Sequence, residues 1–308
     1  MVNQNEINKK CFSCDRRERL EAANQFKENF SLLPDKQQAW EDLLKLTTDE
    51  DNCVRVEATE ALEEAFEHIP EKQKAWEDLR RMAYDGNLYI RWKAAEALPK
   101  AFEHVPEKQQ AWADLIELAS KEFPVNKIAA GKLEDAFQQI PEKQEAWGDL
   151  IRLLLAIKPN STENLQVLRR TTEVLGTALQ YVPDRQKAWR KLRRLLSQKD
   201  QDVRLRAADV LGTAFQHAPD KQQAWEDLLK LTADDYGHVR ISAFRGIKEA
   251  FQHVPDKQKA WKDLTGLASN NNLDMQPKAI EALKDVFQYV PDKEQAREDL
   301  NLLAPDKN

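Results

Sequence analysis

One seven-residue phrase returns eight times in this chain, and its spacing restricts the fold more than any other feature. PDKQQAW begins at Pro34 and comes back as PEKQKAW at Pro70, PEKQQAW at Pro106 and PEKQEAW at Pro141. It continues as PDRQKAW at Pro183, PDKQQAW at Pro219, PDKQKAW at Pro255 and PDKEQAR at Pro291, at spacings of 36, 36, 35, 42, 36, 36 and 36 residues. A period of this length is one supersecondary unit, too small to bury its own apolar stripe, so the units must stack.

Each period reads as two helices. Proline followed by Asp or Glu is a helix start, because the ring presets φ and the acid complements the positive end of the helix dipole. The first helix then carries Ala39, Trp40, Leu43 and Leu46, an i, i+3/i+4 stripe. The Ala and the first Leu recur in all eight copies, through Ala296 and Leu300. A small residue always beside a large ring implies close helix approach, with the Trp filling the space between turns. After a polar stretch such as Asp49-Glu50-Asp51-Asn52, a second helix runs from about Val54 to His68, with Ala58, Ala61, Leu62, Ala65 and Phe66 inward. Its Leu/Phe columns return at Leu98/Phe102, Leu133/Phe137, Leu211/Phe215 and Leu283/Phe287, while repeat six has Ile247/Phe251 and repeat four has Leu179 for the Phe.

The second helix opens on an Asp-rich turn leading into Val-Arg: Asp51-Asn52-Cys53-Val54-Arg55, Tyr89-Ile90-Arg91, Asp202-Val203-Arg204 and His238-Val239-Arg240. This pattern resembles the HEAT-repeat family, and the PDKQQAW wording resembles multi-repeat HEAT proteins of methanogenic archaea. The resemblance covers roughly residues 16–304 and implies an all-α solenoid, a right-handed superhelix of stacked antiparallel helix pairs. It also implies that an Asp six residues before the Arg pairs with it along the stack, as Asp49/Arg55, Asp85/Arg91 and Asp234/Arg240 are spaced to do. Asn126, Leu168 and Gln276 break that series. Tetratricopeptide repeats are the rival reading, but they want Gly and Tyr after the Trp and Leu, and no copy has them.

The organisation expected is one solenoid over 1–308. Residues 16–33 align with a second helix only and form an N-terminal capping half-repeat, 34–290 make seven helix pairs, and 291–304, with Arg297 for the Trp, make a closing helix. Both ends read as caps. The six extra residues of repeat four, around 158–163, are expected to lengthen the loop between its helices. Pro99 falls inside a second helix and should kink it.

Only 8 glycines in 308 residues argue against a turn-rich β fold. The longest apolar run, Leu153 to Ile157, is far short of the ~18–20 residues a membrane span needs. The first residues have no apolar core of a signal peptide, and three cysteines make no disulfide framework, so a reduced cytoplasmic protein is expected.

Candidate chemistry is sparse. His68, His104, His217 and His253 share one repeat position with Gln139, Tyr181 and Tyr289, which marks packing rather than mechanism. Cys11 and Cys14 are half a zinc motif, and their loop should stack near Cys53; free thiols are the simpler expectation. No phosphate loop, triad or HExxH occurs, so no enzyme activity, cofactor or metal is expected. Residues 185–206 hold nine basic side chains and two acids, +7 locally in a chain of net charge −6. Repeat five places Arg190-Lys191 where other repeats have Asp42, Asp78, Asp149 or Asp227. Arg190, Lys191, Arg193 and Arg194 therefore either grip phosphates or an acidic partner, or Lys191 forms a charge column between Asp149 and Asp227. Trp92 is the one Trp outside the repeated column, either a large rim residue or an exposed aromatic anchor with Tyr84 and Tyr89 nearby. The function expected is a non-catalytic binding module or scaffold for a protein partner, with nucleic-acid or acidic-partner binding through 185–206 as the alternative.

Overall fold

A computed structural model describes residues 3–269 and 275–303. All regular structure among them is helical, seventeen α-helices and seven short 3-10 turns, and the fold is an all-α solenoid. The first helices of the repeats are α3 (Lys36–Leu46), α5 (Lys72–Met82), α7 (Lys108–Ala119), α9 (Lys143–Ala156), α11 (Arg185–Leu196), α13 (Lys221–Leu231), α15 (Lys257–Ala268) and α17 (Lys293–Leu303). The second helices are α2 (Arg16–Asn29), α4 (Asn52–Ala65), α6 (Leu88–Ala101), α8 (Val125–Gln139), α10 (Thr162–Ala178), α12 (Gln201–Ala214), α14 (Gly237–Ala250) and α16 (Gln276–Val286). One helix was not legible in the sequence: α1 (Gln4–Cys11), which packs on α2 and α3. The described residues form two compact units, one of residues up to Glu142 with 159–167, the other of 143–158 with Leu168 onward.

Most letters of the recurring phrase have a structural job. The Pro stands before the helix rather than at its first turn, and the Asp is the N-cap: Asp35, Asp184, Asp220 and Asp256 accept from the backbone N–H three residues on, at 2.8–2.9 Å. Glu71 and Glu107 make no such side-chain bond. The Lys reaches back to the carbonyls that end the previous second helix, as Lys72 does to Phe66 O at 2.6 Å and Glu67 O at 2.7 Å. In doing so it lies over the Phe ring, 5.4 Å from its centroid at Lys72/Phe66 and 5.0 Å at Lys108/Phe102. The Ala is buried, and the Trp meets the Phe of its own repeat edge-on, 6.2 Å between Trp40 and Phe66 and 6.1 Å between Trp76 and Phe102.

The polar ends of four of the recurring Trp side chains tie one repeat to the next. Trp40 Nε1 donates to Asp78 Oδ2 at 3.0 Å, Trp76 to Asp114 at 2.8 Å, Trp225 to Asp263 at 2.9 Å and Trp261 to Asp299 at 2.7 Å. The second Gln of the phrase, where present, holds the other oxygen of an Asp, as Gln110 Nε2 does on Asp114 Oδ1 at 3.1 Å. Asp42, Asp78 and Asp114 are buried, so this Asp column belongs to the core, and a buried carboxylate persists only when its lone pairs are filled.

The Asp/Arg pairing differs from the expectation. Arg55, Arg91 and Arg240 do reach back six residues, but onto backbone carbonyls: Asp49 O at 2.6 Å, Asp85 O at 2.7 Å and Asp234 O at 2.9 Å. The carboxylates take the Arg of the preceding repeat, Arg19 Nε to Asp49 Oδ2 at 2.6 Å and Arg204 Nε to Asp234 Oδ2 at 2.8 Å. Burial pushes Asp49 up, but the bond from Arg19, the Asp51 backbone N–H and the charges of Arg19 and Arg55 together outweigh it and hold the carboxyl below its ordinary range.

The extra residues of repeat four enter helices, not a loop. α9 has 14 residues and α10 has 17, against 11 and 14 in α3 and α4, and the connection 157–161 is as short as 47–51. Leu153, Leu154 and Ile157 are buried, so continuing α9 hides apolar surface that a longer loop would expose. α6 likewise continues through Pro99 to Ala101, because the Pro falls in its last turn. No helix among the described residues is long and apolar enough to cross a membrane.

Candidate binding surfaces

Trp92 stands on α6, 39% exposed, at the edge of a groove of about 1070 Å³ formed by the second helices α6 and α8. Leu88 and Phe123, 54% and 53% exposed, extend its apolar floor with Pro124 and Ile128. Tyr89 meets Trp92 edge-on at 5.5 Å, and Lys93 lies 5.4 Å from the Trp92 ring centroid. A polar brace fixes this aromatic pair from behind. Tyr89 donates its hydroxyl to Glu60 Oε1 at 2.8 Å, and Lys93 and Lys27 pair with the same carboxylate at 3.3 and 2.9 Å. The bond from Lys27, with those from Tyr89 and Lys93, holds Glu60 at about 2. Four lysines, Lys93, Lys100, Lys127 and Lys132, line the groove against two glutamates, Glu63 and Glu96. The groove was only partly readable in advance: Leu88 opens α6 and Phe123 lies in the turn before α8, both outside the periodic columns.

The basic residues Arg190, Arg193 and Arg194 lie elsewhere, on first helices of the other unit. They line a groove of about 860 Å³ between α11 and α13, with Ser197, Asp227 and Lys230. Arg193 grips Asp227 with Nε at 2.5 Å and Nη2 at 3.0 Å. Lys191 makes no charge column: Asp149 pairs with Arg152, and no carboxylate pairs with Lys191 among the described residues. A Cβ on Gly148 would lie 3.3 Å from Lys191 Nζ, and burial, with Arg152 nearby, pushes that ammonium's pKa down. Arg206 is turned away from the groove, donating to Leu154 O at 2.6 Å and Leu155 O at 3.1 Å.

Repeat five therefore interrupts the Trp–Asp ladder twice. Trp147, whose acceptor position is Lys191, turns to Leu175 O at 3.2 Å. Trp189, 3% exposed, should reach Asp227, but Arg193 holds both carboxylate oxygens and Nε1 is left without an acceptor.

The thiols do not converge. Cys11 is buried and donates to Ile7 O at 3.3 Å, and burial, with Asp42 near, pushes it up to about 12; Cys14 and Cys53 are exposed. Among the described residues no three His, Cys, Asp or Glu side chains are grouped to hold a metal.

No family model matches the chain. No curated protein matches it either. Solved structures do: a mutant of Kap121p at TM-score 0.74 and 13% identity, covering 97% of this chain and 35% of that one. The karyopherin Kap121p bound to the extreme C-terminus of the protein phosphatase Cdc14p matches at 0.73 and 14%, covering 98% and 36%, and Kap121p bound to Pho4p at 0.73 and 13%, covering 97% and 35%. The chain spans about a third of the length of these structures' chains. Such a likeness defines the fold class, an all-α helical-repeat solenoid, and no more than that.

Proposed function

We propose that this chain is a non-catalytic, cytoplasmic protein-binding module, kin to the multi-repeat HEAT proteins of methanogenic archaea, and that the α6/α8 groove is where it binds. The observation that carries this reading is the exposed Leu88–Trp92–Phe123 surface set in a groove lined by four lysines and two glutamates. Aromatic anchors on a stiff, hydrogen-bonded support form the centre of protein interfaces, and the lysine excess favours an acidic partner. The ligand is an extended segment with apolar side chains between Asp or Glu residues. Kap121p, which shares the fold, is bound to Pho4p and to the extreme C-terminus of Cdc14p in its solved structures, which supports this reading.

Selection from a random displayed-peptide library tests the reading. Enriched peptides should combine Trp, Phe or Leu with acids, and Trp92→Ala should weaken them at least about tenfold, as loss of a buried aromatic anchor does. Arg193→Ala should leave them unchanged. Failure to enrich any peptide, or binding indifferent to Trp92→Ala, overturns it.

A further inference from the structure

The chain contains its own control for the basic groove. The groove between α5 and α7 occupies the same place in its repeats, and its residues correspond one for one. Arg80 and Arg81 match Arg193 and Arg194, and Asp114 matches Asp227. Among the differences, Glu77 becomes Arg190, Asp78 becomes Lys191, Tyr84 becomes Ser197 and Glu117 becomes Lys230, while Asp85 becomes Gln198 and Lys121 becomes Asp234.

Those differences change the fate of the arginine. Arg80 Nη2 donates to Glu117 Oε2 at 2.9 Å, and its Nε lies 2.9 Å from Asp114 Oδ1 without hydrogen-bond alignment. Drawn outward by Glu117, it leaves Asp114 Oδ2 to the Trp76 indole. Arg193 has Lys230 where Arg80 has Glu117, so nothing draws it outward, and it closes on both oxygens of Asp227. The Trp189 donor is then orphaned in the interior. The groove between α11 and α13 is also larger, about 860 against about 560 Å³, with Ser197 where the other has a Tyr ring. Among the described residues no carboxylate pairs with Arg190, Arg194 or Lys230.

We propose that the α11/α13 groove is a binding site for a compact oligophosphate, whose anionic oxygens occupy the place that the Glu117 carboxylate fills between α5 and α7. Lys230, Arg194 and Arg190 surround the anion, and Arg193 swings from Asp227 onto it, as a guanidinium fork suits phosphate oxygens. Asp227 Oδ2 is released to accept from Trp189 Nε1. Binding thus removes an unsatisfied buried donor as well as pairing the cations. A nucleic-acid duplex fits less well, because Asp227 and Asp234 break the basic surface within this single groove.

Inorganic pyrophosphate is the probe, titrated into the full chain labelled with 15N and read at the Trp indole N–H signals, with Trp189→Phe to assign the signal. Saturable binding with a downfield move of the Trp189 signal is expected, with those of Trp40 and Trp76 still. Lys230→Glu rebuilds the Glu117 arrangement: it should shift the Trp189 signal without ligand and weaken pyrophosphate at least about tenfold, as loss of a charge-assisted bond does. Arg194→Ala should weaken binding while leaving the ligand-free spectrum unchanged. An unmoved Trp189 signal overturns the proposal, as does equal binding by Lys230→Glu. So does retention of a 20-base-pair DNA duplex under conditions where pyrophosphate does not bind. The peptide-binding groove lies in the other unit, and its fate is independent.

Discussion

In the first unit the indoles of Trp40 and Trp76 each bond the Asp of the following repeat, and a buried carboxylate is satisfied by neighbours on two helices. In the second unit Trp225 and Trp261 do the same, but Trp147 and Trp189 around repeat five do not. The apolar columns are equally regular in both places, with Ala188, Trp189 and Leu192 as buried as Ala75, Trp76 and Leu79. Hydrophobic stacking therefore builds the solenoid by itself, and the Trp–Asp bond is a separable addition. Where it is missing, its polar groups become free for other uses.

The largest effect should come from removing matched acids. Asp114→Ala orphans Trp76 Nε1 and strips Arg80 of a neighbour, and should cost about 3 kcal/mol in urea denaturation. Asp227→Ala removes a carboxylate that no indole uses, held by the 39%-exposed Arg193 side chain and a long 3.4 Å bond from Gln223, and should cost less than about 1 kcal/mol. Equal losses would erase the distinction between the two places. Rebuilding a rung is the converse. Lys191→Asp should offer Trp147 its missing acceptor and relieve a partly buried ammonium, raising stability by about 1 kcal/mol, read as a higher melting temperature. A lower one would mean that Leu175 O already serves Trp147 fully.

Acid should act in opposite senses at one repeat position. Glu60, held at about 2 against an ordinary 4.5, contributes stability that is complete above 4.5 and lost as pH falls through about 2. Asp209, its counterpart in repeat five, is pushed above its ordinary 3.8 by burial, despite Ser242 and Arg245. Its anion is disfavoured in the fold, so protonation on the way down to 3.8 adds stability. Glu60→Gln should flatten an acid loss, and Asp209→Asn should flatten an acid gain, in melting temperatures taken between pH 6 and about 2.

Much of this was legible in the sequence, because periodicity reports burial directly: the helix pairs and the Ala, Trp, Leu and Phe columns all follow from it. The Asp two residues past each Trp was visible as a column, yet its partner lies 38 residues back, in the previous repeat. A column read within one repeat looks like a solvated charge. The coincidence that could have exposed the bond is that both departures, Arg297 for Trp and Lys191 for Asp, fall on these two columns. The same blindness put the Asp49 carboxylate with Arg55 instead of Arg19. α1 escaped notice because Ile7 and Cys11 are its only buried apolar residues, too few to show a period. The Trp92 groove needed α6 and α8 side by side before Phe123 could join Leu88.

The separability of the polar ladder from the apolar stack is tested most directly by the chemical shifts of the indole N–H groups of the ligand-free chain. Trp40, Trp76, Trp225 and Trp261 should resonate downfield as donors to carboxylates, with Trp189 well upfield of that group although it is just as slow to exchange. A Trp189 signal within the group would contradict this, because it would place Asp227 on the indole and Arg193 elsewhere.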